Sequence, residues 1–206
     1  MTDSIDVTSP PSELGPGPVV VAVRDASTRL WRNGEGLSTH LYAHTPPTAA
    51  EPSWTLSLAK LDSSAHFSSF PGYDRHFMVA GHNRVVLDVG GRSRPVAYTE
   101  VAQFPGEATV RVETVAGPSL ALNLMVQRSN SIGDMTFGRI DGERTVNRRQ
   151  VSAYVLLSGA LRVQGRRLDV RGDTVVIGSE PVVLAGRSAV LARIRVQHNN
   201  TESRVQ

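Results

Sequence analysis

What most constrains the fold of this chain is a punctuation pattern that occurs twice. In the first copy, within residues 76–91, the apolar run Phe77-Met78-Val79-Ala80 meets Gly81, passes a turn at Asn83 and returns through Val85-Val86-Leu87 to Gly90-Gly91. In the second, within residues 153–165, Val155-Leu156-Leu157-Ser158 meets Gly159 and leads into Leu161-Arg162-Val163 and Gly165. Each copy is followed by a glycine and an acid ahead of another apolar strand: Gly106-Glu107 before Val110, and Gly172-Asp173 before Val175. Glycine supplies positive φ at tight connections, and the acid can accept backbone amides of the turn. Short apolar or alternating runs bounded by Gly, Pro, Asn and Asp read as strands. They are expected over 19–23, 37–42, 54–61, 76–79, 84–88, 109–114 and 120–127, then 151–157, 160–163, 174–177, 181–185 and 189–196. The fold class is therefore all-β.

A chain of 206 residues that is 40% apolar and 20% charged can bury a real core, which excludes wholesale disorder and a rod. The order strand, Gly turn, strand, Gly-acid turn, strand resembles the cupin barrel, and finding it twice resembles a bicupin, with few short helices. On that reading residues 19–128 form an N-terminal cupin-like barrel and 151–197 a C-terminal one. Residues 129–150, with Gly133, Gly138 and Gly142, form the connector. A single larger β-sandwich is the alternative. Residues 1–18, rich in Pro and Gly, offer too little apolar surface to offset ordering entropy and read as a mobile leader. The polar stretch 198–206 reads as a flexible tail.

With no cysteine, disulfides, thiol nucleophiles and thiolate metal sites are excluded. The sequence pI of about 9.8 hides a net charge of only +3, with Lys60 the sole lysine and the arginines scattered. The densest cluster, Arg144, Arg148 and Arg149, lies beside Asp141 and Glu143, so it reads as solvated surface and nucleic acid is not an expected partner. No run approaches the ~18 apolar residues of a membrane span, and no secretory signal opens the chain. A cytoplasmic location and no membrane partner are expected. Exposed sheet edges make a homodimer a possible assembly.

The sequence lacks the glycine fingerprints of phosphate and dinucleotide loops and the G-x-S-x-G elbow. Metal-binding cupins use histidines on early and later strands, whereas His40, His44, His66, His76 and His82 all precede Arg84 and His198 falls in the tail. No metal and no cofactor are expected. Alternation places His40 and His44 on one strand face, where a carboxylate such as Glu35 would be needed to complete a site. Asp74 and His76 share a face if extended, so the acid could orient the imidazole for proton transfer, although a surface Asp and a half-buried His are the plainer reading. Ser68 and Ser69 have no implied base and read as hydrogen-bonding groups.

Three segments carry a narrower likeness. Trp31-Arg32-Asn33-Gly34-Glu35-Gly36-Leu37-Ser38-Thr39, then Phe67-Ser68-Ser69-Phe70-Pro71-Gly72-Tyr73-Asp74-Arg75, and Leu122-Asn123-Leu124-Met125-Val126-Gln127-Arg128 follow one another, with Trp54 and Phe104 between. In this order they resemble the HutD/Ves family of bicupins, firmly over 19–128 and more loosely beyond. Trp31, Arg32, Asn33, Gly34, Gly36 and Thr39 (or Ser38) agree with that family's opening segment, while Glu35 departs from its glycine. Phe67, Ser68, Phe70, Pro71, Gly72 and Arg75 agree throughout. Asn123, Met125 and Arg128 agree with the closing segment, while Ala121, Leu122 and Gln127 depart.

The resemblance implies a protein linked to histidine utilisation that binds a small pathway metabolite, such as urocanate or a formylated amino acid, with no established chemical activity. The residues suit that role independently. Arg75 offers a permanently charged fork for a carboxylate. Asn33, Ser68 and Asn123 offer neutral hydrogen bonds, and Trp31, Phe67, Phe70 and Met125 offer apolar or stacking walls. The expectation is a metal-independent binder of a small carboxylate metabolite that modulates histidine breakdown. The competing reading is a metal-independent cupin enzyme using Asp74/His76 or Glu35 on a small organic acid. In an unbulged strand Asn123 and Met125 share one face and Leu120, Leu122, Leu124 and Val126 the other. Arg128 has the leucine parity, which suits a structural residue at the strand's end better than one re-aimed by a bulge.

Overall fold

A computed structural model describes residues 15–199. In chain order the strands are β1 (Val19–Val21), β2 (Thr28–Leu30), β3 (Leu37–His44), β4 (Trp54–Leu61), β5 (Ala65–His66), β6 (Tyr73–Val79), β7 (Val85–Val89) and β8 (Arg92–Val96). There follow β9 (Val101–Pro105), β10 (Val110–Thr114), β11 (Ser119–Gln127), β12 (Ser131–Val146), β13 (Ala153–Val163), β14 (Arg166–Leu168), β15 (Thr174–Val176) and β16 (Val182–His198). One 3-10 turn, Val23–Asp25, is the only helix among the described residues. None is therefore long and apolar enough to cross a membrane.

Three sheets result. A large sheet runs β2-β3-β4-β11-β6-β9, a small one runs β5-β10-β7-β8, and a third runs β1-β15-β13-β16-β12 with β14 on β13. Among the described residues no sheet closes on itself, so the bicupin expectation is met as an all-β, cupin-like sandwich. The large sheet is covered on both faces, which is why its central strand β11 is buried almost throughout. Its alternation sorts the faces. Leu122, Leu124 and Val126 join Leu56, Leu58 and Met78 against Met135, Val155, Ala192 and Ile194 of the third sheet. Ala121 points the opposite way, with Ala59, Leu61, Phe77 and Val79, against Val85, Leu87 and Val112 of the small sheet.

Several sequence expectations need correction. The tract 129–150 is not a connector but mostly β12, an edge strand paired with β16 along nearly its whole length. Its glycines are strand glycines, two of them with local reasons. A Cβ on Gly133 would run into Val126 of β11, and Gly142, at φ 81°, follows the register shift against β16. The strands expected at 151–157 and 160–163 are one strand, β13. Gly159 sits inside it at φ 80°, where a Cβ would strike the backbone of Ser188 across a bulge. Likewise 181–185 and 189–196 are one strand, β16, whose Gly186 lies against the Ile140 carbonyl. β1 lies in the third sheet, paired with β15, and not in an N-terminal unit.

The leader expected over 1–18 falls outside the described residues as far as residue 14. Its last part is held in place: the amides of Ser179 and Glu180 donate to the carbonyls of Gly15 and Pro16. Of the tail expected over 198–206, 200–206 lies outside the described residues, while His198 ends β16 and its Nδ1 is 3.0 Å from Ser131 Oγ. His198 is thus an ordered histidine of the second half. The acid of the second Gly-acid turn behaves as expected. Asp173, buried, accepts the amides of Asp169 and Val170 and also that of Val23.

Candidate functional site

The inward face of the large sheet changes character along its length. At one end it is apolar; at the other, β4, β11 and β6 align Thr55 with Met125 and Arg75, and Ser57 with Asn123 and Phe77. Thr55, Ser57, Asn123, Met125 and Arg75 line a cavity of about 400 Å³. Opposite them stand Trp31 from the β2–β3 turn and Phe67, Ser68 and Phe70 from the segment after β5. Of the eight expected ligand-binding residues, Trp31, Phe67, Ser68, Phe70, Arg75, Asn123 and Met125 meet here. Asn33 does not line the cavity. Its side chain is used by its surroundings, donating to the His66 carbonyl at 2.7 Å and accepting the Glu35 amide at 3.2 Å.

Each wall has a local cause. Trp31 and Gly36 close a tight turn, with Trp31 N donating to Gly36 O at 2.8 Å and Trp31 Nε1 to Ser38 Oγ at 2.8 Å. A Cβ on Gly36 would lie 2.7 Å from the indole, so only glycine lets the ring fold over its own turn. Phe67 meets Trp31 edge-on, with ring centroids 5.7 Å apart. The Phe70 amide donates to Gly106 O at 2.8 Å, just past β9 of the large sheet, and the Phe67 amide to Val110 O at 2.9 Å, on β10 of the small sheet, which ties this irregular segment to both sheets.

Arg75 is the electrostatic centre. Only 6% exposed, it makes no ion pair among the described residues. Its Nη2 donates to the Ser68 carbonyl at 3.0 Å, and its guanidinium carbon lies 4.8 Å from the Phe67 ring centre and 5.5 Å from that of Phe70. Among the described residues its Nε has no hydrogen-bond partner, and neither does Asn123 Oδ1. Burial pushes the Arg75 pKa down to about 10, which still leaves it charged at neutral pH. Rings can cover a cation, but they do not replace the hydrogen-bonding anion that a buried guanidinium ordinarily finds.

Sequence reasoning missed Arg29, Arg32, Ser38, His40, Glu51, Thr55, Ser57 and Tyr73 as cavity-lining residues. Strand parity could have found Thr55 and Ser57, which pair with Met125 and Asn123. His40 was hidden by a bulge. A register shift between His40 and Tyr42 breaks the alternation, so His40 lines the cavity while His44 is buried against Trp54, with ring centroids 6.1 Å apart. The two imidazoles do not share a face, and no cluster of three metal-ligating side chains occurs among the described residues. Burial, then Arg29, lowers the His40 pKa, so it is neutral at pH 7.

The groups of the enzyme reading lie elsewhere. His76 is buried on the face opposite Arg75, and Asp74 pairs with Arg128 at 2.9 Å. Glu35 accepts the His66 amide at 2.6 Å and borders a separate, smaller hollow. Arg128 is structural, as its parity suggested: it staples Tyr73 O, Asp74 and Glu107 together just beyond β11.

Comparison with known proteins decides the lineage. Residues 23–200 match the family model HutD. The chain belongs to the HutD family. Protein Ves of Citrobacter koseri is 27% identical over 122 residues, covering 56% of this chain and 63% of that protein. An uncharacterized 21.2 kDa protein from the hutC 3' region of Pseudomonas putida is 30% identical over 107 residues, 52% of this chain and 56% of its own length. This HutD-family chain thus matches less than two thirds of either curated relative. The solved structure of HutD from Pseudomonas fluorescens superposes with a TM-score of 0.75 at 22% identity, covering 89% of this chain and 100% of that one. A cupin 2 conserved barrel domain protein from Leptotrichia buccalis gives 0.54 at 10% identity, covering 91% and 98%, which places the fold among the cupins.

Proposed function

We propose that this HutD-family protein binds a small carboxylate metabolite in the cavity around Arg75, without a metal and without turning it over. The observation that carries the reading is Arg75 itself: a buried cation lining the cavity with no ion-pair partner among the described residues. An uncompensated buried charge is costly, and a ligand carboxylate would supply the missing anion and acceptor at once. Asn123, which lines the same cavity, suits a ligand that also carries a neutral hydrogen-bonding group. Trp31, Phe67 and Phe70 suit a flat or apolar body. Urocanate and formylated amino acids combine these features.

The family, together with a relative whose name places it beside hutC, supports a setting in histidine utilisation, where binding such a metabolite would modulate the pathway in the cytoplasm. Thermal denaturation of the full chain with each compound tests the reading. A ligand that binds only the native state raises the Tm by mass action. The expected result is a concentration-dependent rise with the compound recovered unchanged; consumption of the compound would favour the enzyme reading, and no rise with any small carboxylate would contradict binding.

A further inference from the structure

Two polar side chains beside the cavity do not line it, yet both bind the same backbone unit. Asn33 Nδ2 donates to the His66 carbonyl at 2.7 Å, and Glu35 accepts the His66 amide at 2.6 Å. His66 ends β5, a strand of two residues at the edge of the small sheet, where its outer side has no neighbouring strand among the described residues. The side chains of the β2–β3 turn stand in for that strand, satisfying the amide and the carbonyl that it would have paired. Asn33 Oδ1 closes the arrangement by accepting the Glu35 amide at 3.2 Å and the Ser68 hydroxyl at 3.4 Å. The Glu35 carboxylate also lies 3.5 Å from His66 Nδ1.

The two residues after His66 connect this clamp to the cavity. Phe67 packs on Trp31 and under Arg75, and the Ser68 carbonyl is the acceptor for Arg75. The turn belongs to the large sheet and β5 to the small one, so the clamp ties the two sheets together at the cavity. We propose that Asn33 and Glu35 are positioning residues: by holding both backbone groups of His66 they set Phe67 and Ser68, and through them the guanidinium of Arg75, in the geometry that receives the ligand. This assignment rests on the carboxylate-binding reading for its purpose, but not for its geometry.

The test uses the full chain labelled with nitrogen-15 and the variants Glu35→Ala, Glu35→Gln and Asn33→Ala. Without ligand, Glu35→Ala is expected to speed amide exchange at His66 by about tenfold or more, the scale of losing a hydrogen bond to a charged acceptor, and to shift the Trp31 indole N–H resonance. Glu35→Gln, whose amide oxygen can still accept, is expected to restore both, with the Tm of all three variants close to the parent. With urocanate as probe, Glu35→Ala and Asn33→Ala are expected to weaken affinity about tenfold, while Glu35→Gln retains it. Unaltered His66 exchange and Trp31 resonance in Glu35→Ala would overturn the clamp. Lost protection with unchanged urocanate affinity would overturn its positioning role. If the parent chain binds no carboxylate, the cavity reading fails while the exchange and indole signals still decide the clamp.

Discussion

At the residue scale, two buried cation-forming groups lead to opposite expectations. Arg75 is charged, buried and, among the described residues, without an ion-pair partner, so in the carboxylate-binding reading it weakens the empty fold while preparing it for an anion. Replacing it with methionine, of similar reach, should leave the thermal stability of the ligand-free protein unchanged or raise it, as when buried ionic groups give way to apolar ones. A loss of about 3–5 kcal/mol would instead mark Arg75 as one half of an ion pair. His44 behaves differently. Burial first, then Arg148 and His198, push its pKa from 6.5 down to about 4. The folded protein therefore refuses a proton that the unfolded chain accepts, so stability present above pH 6.5 is lost as the pH falls toward 4. The shift corresponds to about 3 kcal/mol. Urea midpoints at pH 7 and pH 4.5 should differ less in His44→Gln than in the parent, and an equal difference would exclude His44 as a source of acid sensitivity.

At the scale of elements, the β2–β3 turn shows how local chemistry becomes a cavity wall. Gly36→Ala sets a methyl group against the Trp31 indole, so the ring must leave its place over the turn. Overpacking of this kind costs about 1–3 kcal/mol. The variant should show altered Trp31 fluorescence and weakened ligand binding while remaining folded; a parent-like spectrum would mean that the turn absorbs the methyl group elsewhere. Strands whose alternation is unbroken were legible in the sequence. β4 begins and ends where expected, and the parity of β11 correctly separates Asn123 and Met125 from the leucines. Bulges were not legible, because an inserted residue leaves no mark on composition. Hence His40 and His44 were placed on one face, and Gly133, Gly142 and Gly159 read as connector or turn signals although each sits within a long strand, Gly133 and Gly159 where a Cβ has no room and Gly142 at a positive φ.

At the scale of the molecule, the duplicated pattern identified the cupin-like architecture, but not how its halves share strands and core. β1 precedes the strands of the large sheet yet pairs in the third sheet, and one apolar core is built from β4, β6 and β11 together with β12, β13 and β16. The halves should therefore unfold together. Calorimetry is expected to show one cooperative transition with equal calorimetric and van't Hoff enthalpies, and two separated transitions would contradict the shared core. Leu124→Ala, in that core, should lower stability by about 2–5 kcal/mol without splitting the transition. The cavity's existence could be foreseen from Trp31, Phe67, Arg75 and Asn123, whereas the role of Asn33 could not, since it depends on His66 being an unpaired sheet edge. Whether Arg75 awaits an anion is decided by titration calorimetry with urocanate and its uncharged amide, on the parent chain and on Arg75→Met. One urocanate should bind per parent chain, with the amide and the variant at least about a hundredfold weaker; equal affinity of Arg75→Met and the parent for urocanate would refute the role of the guanidinium.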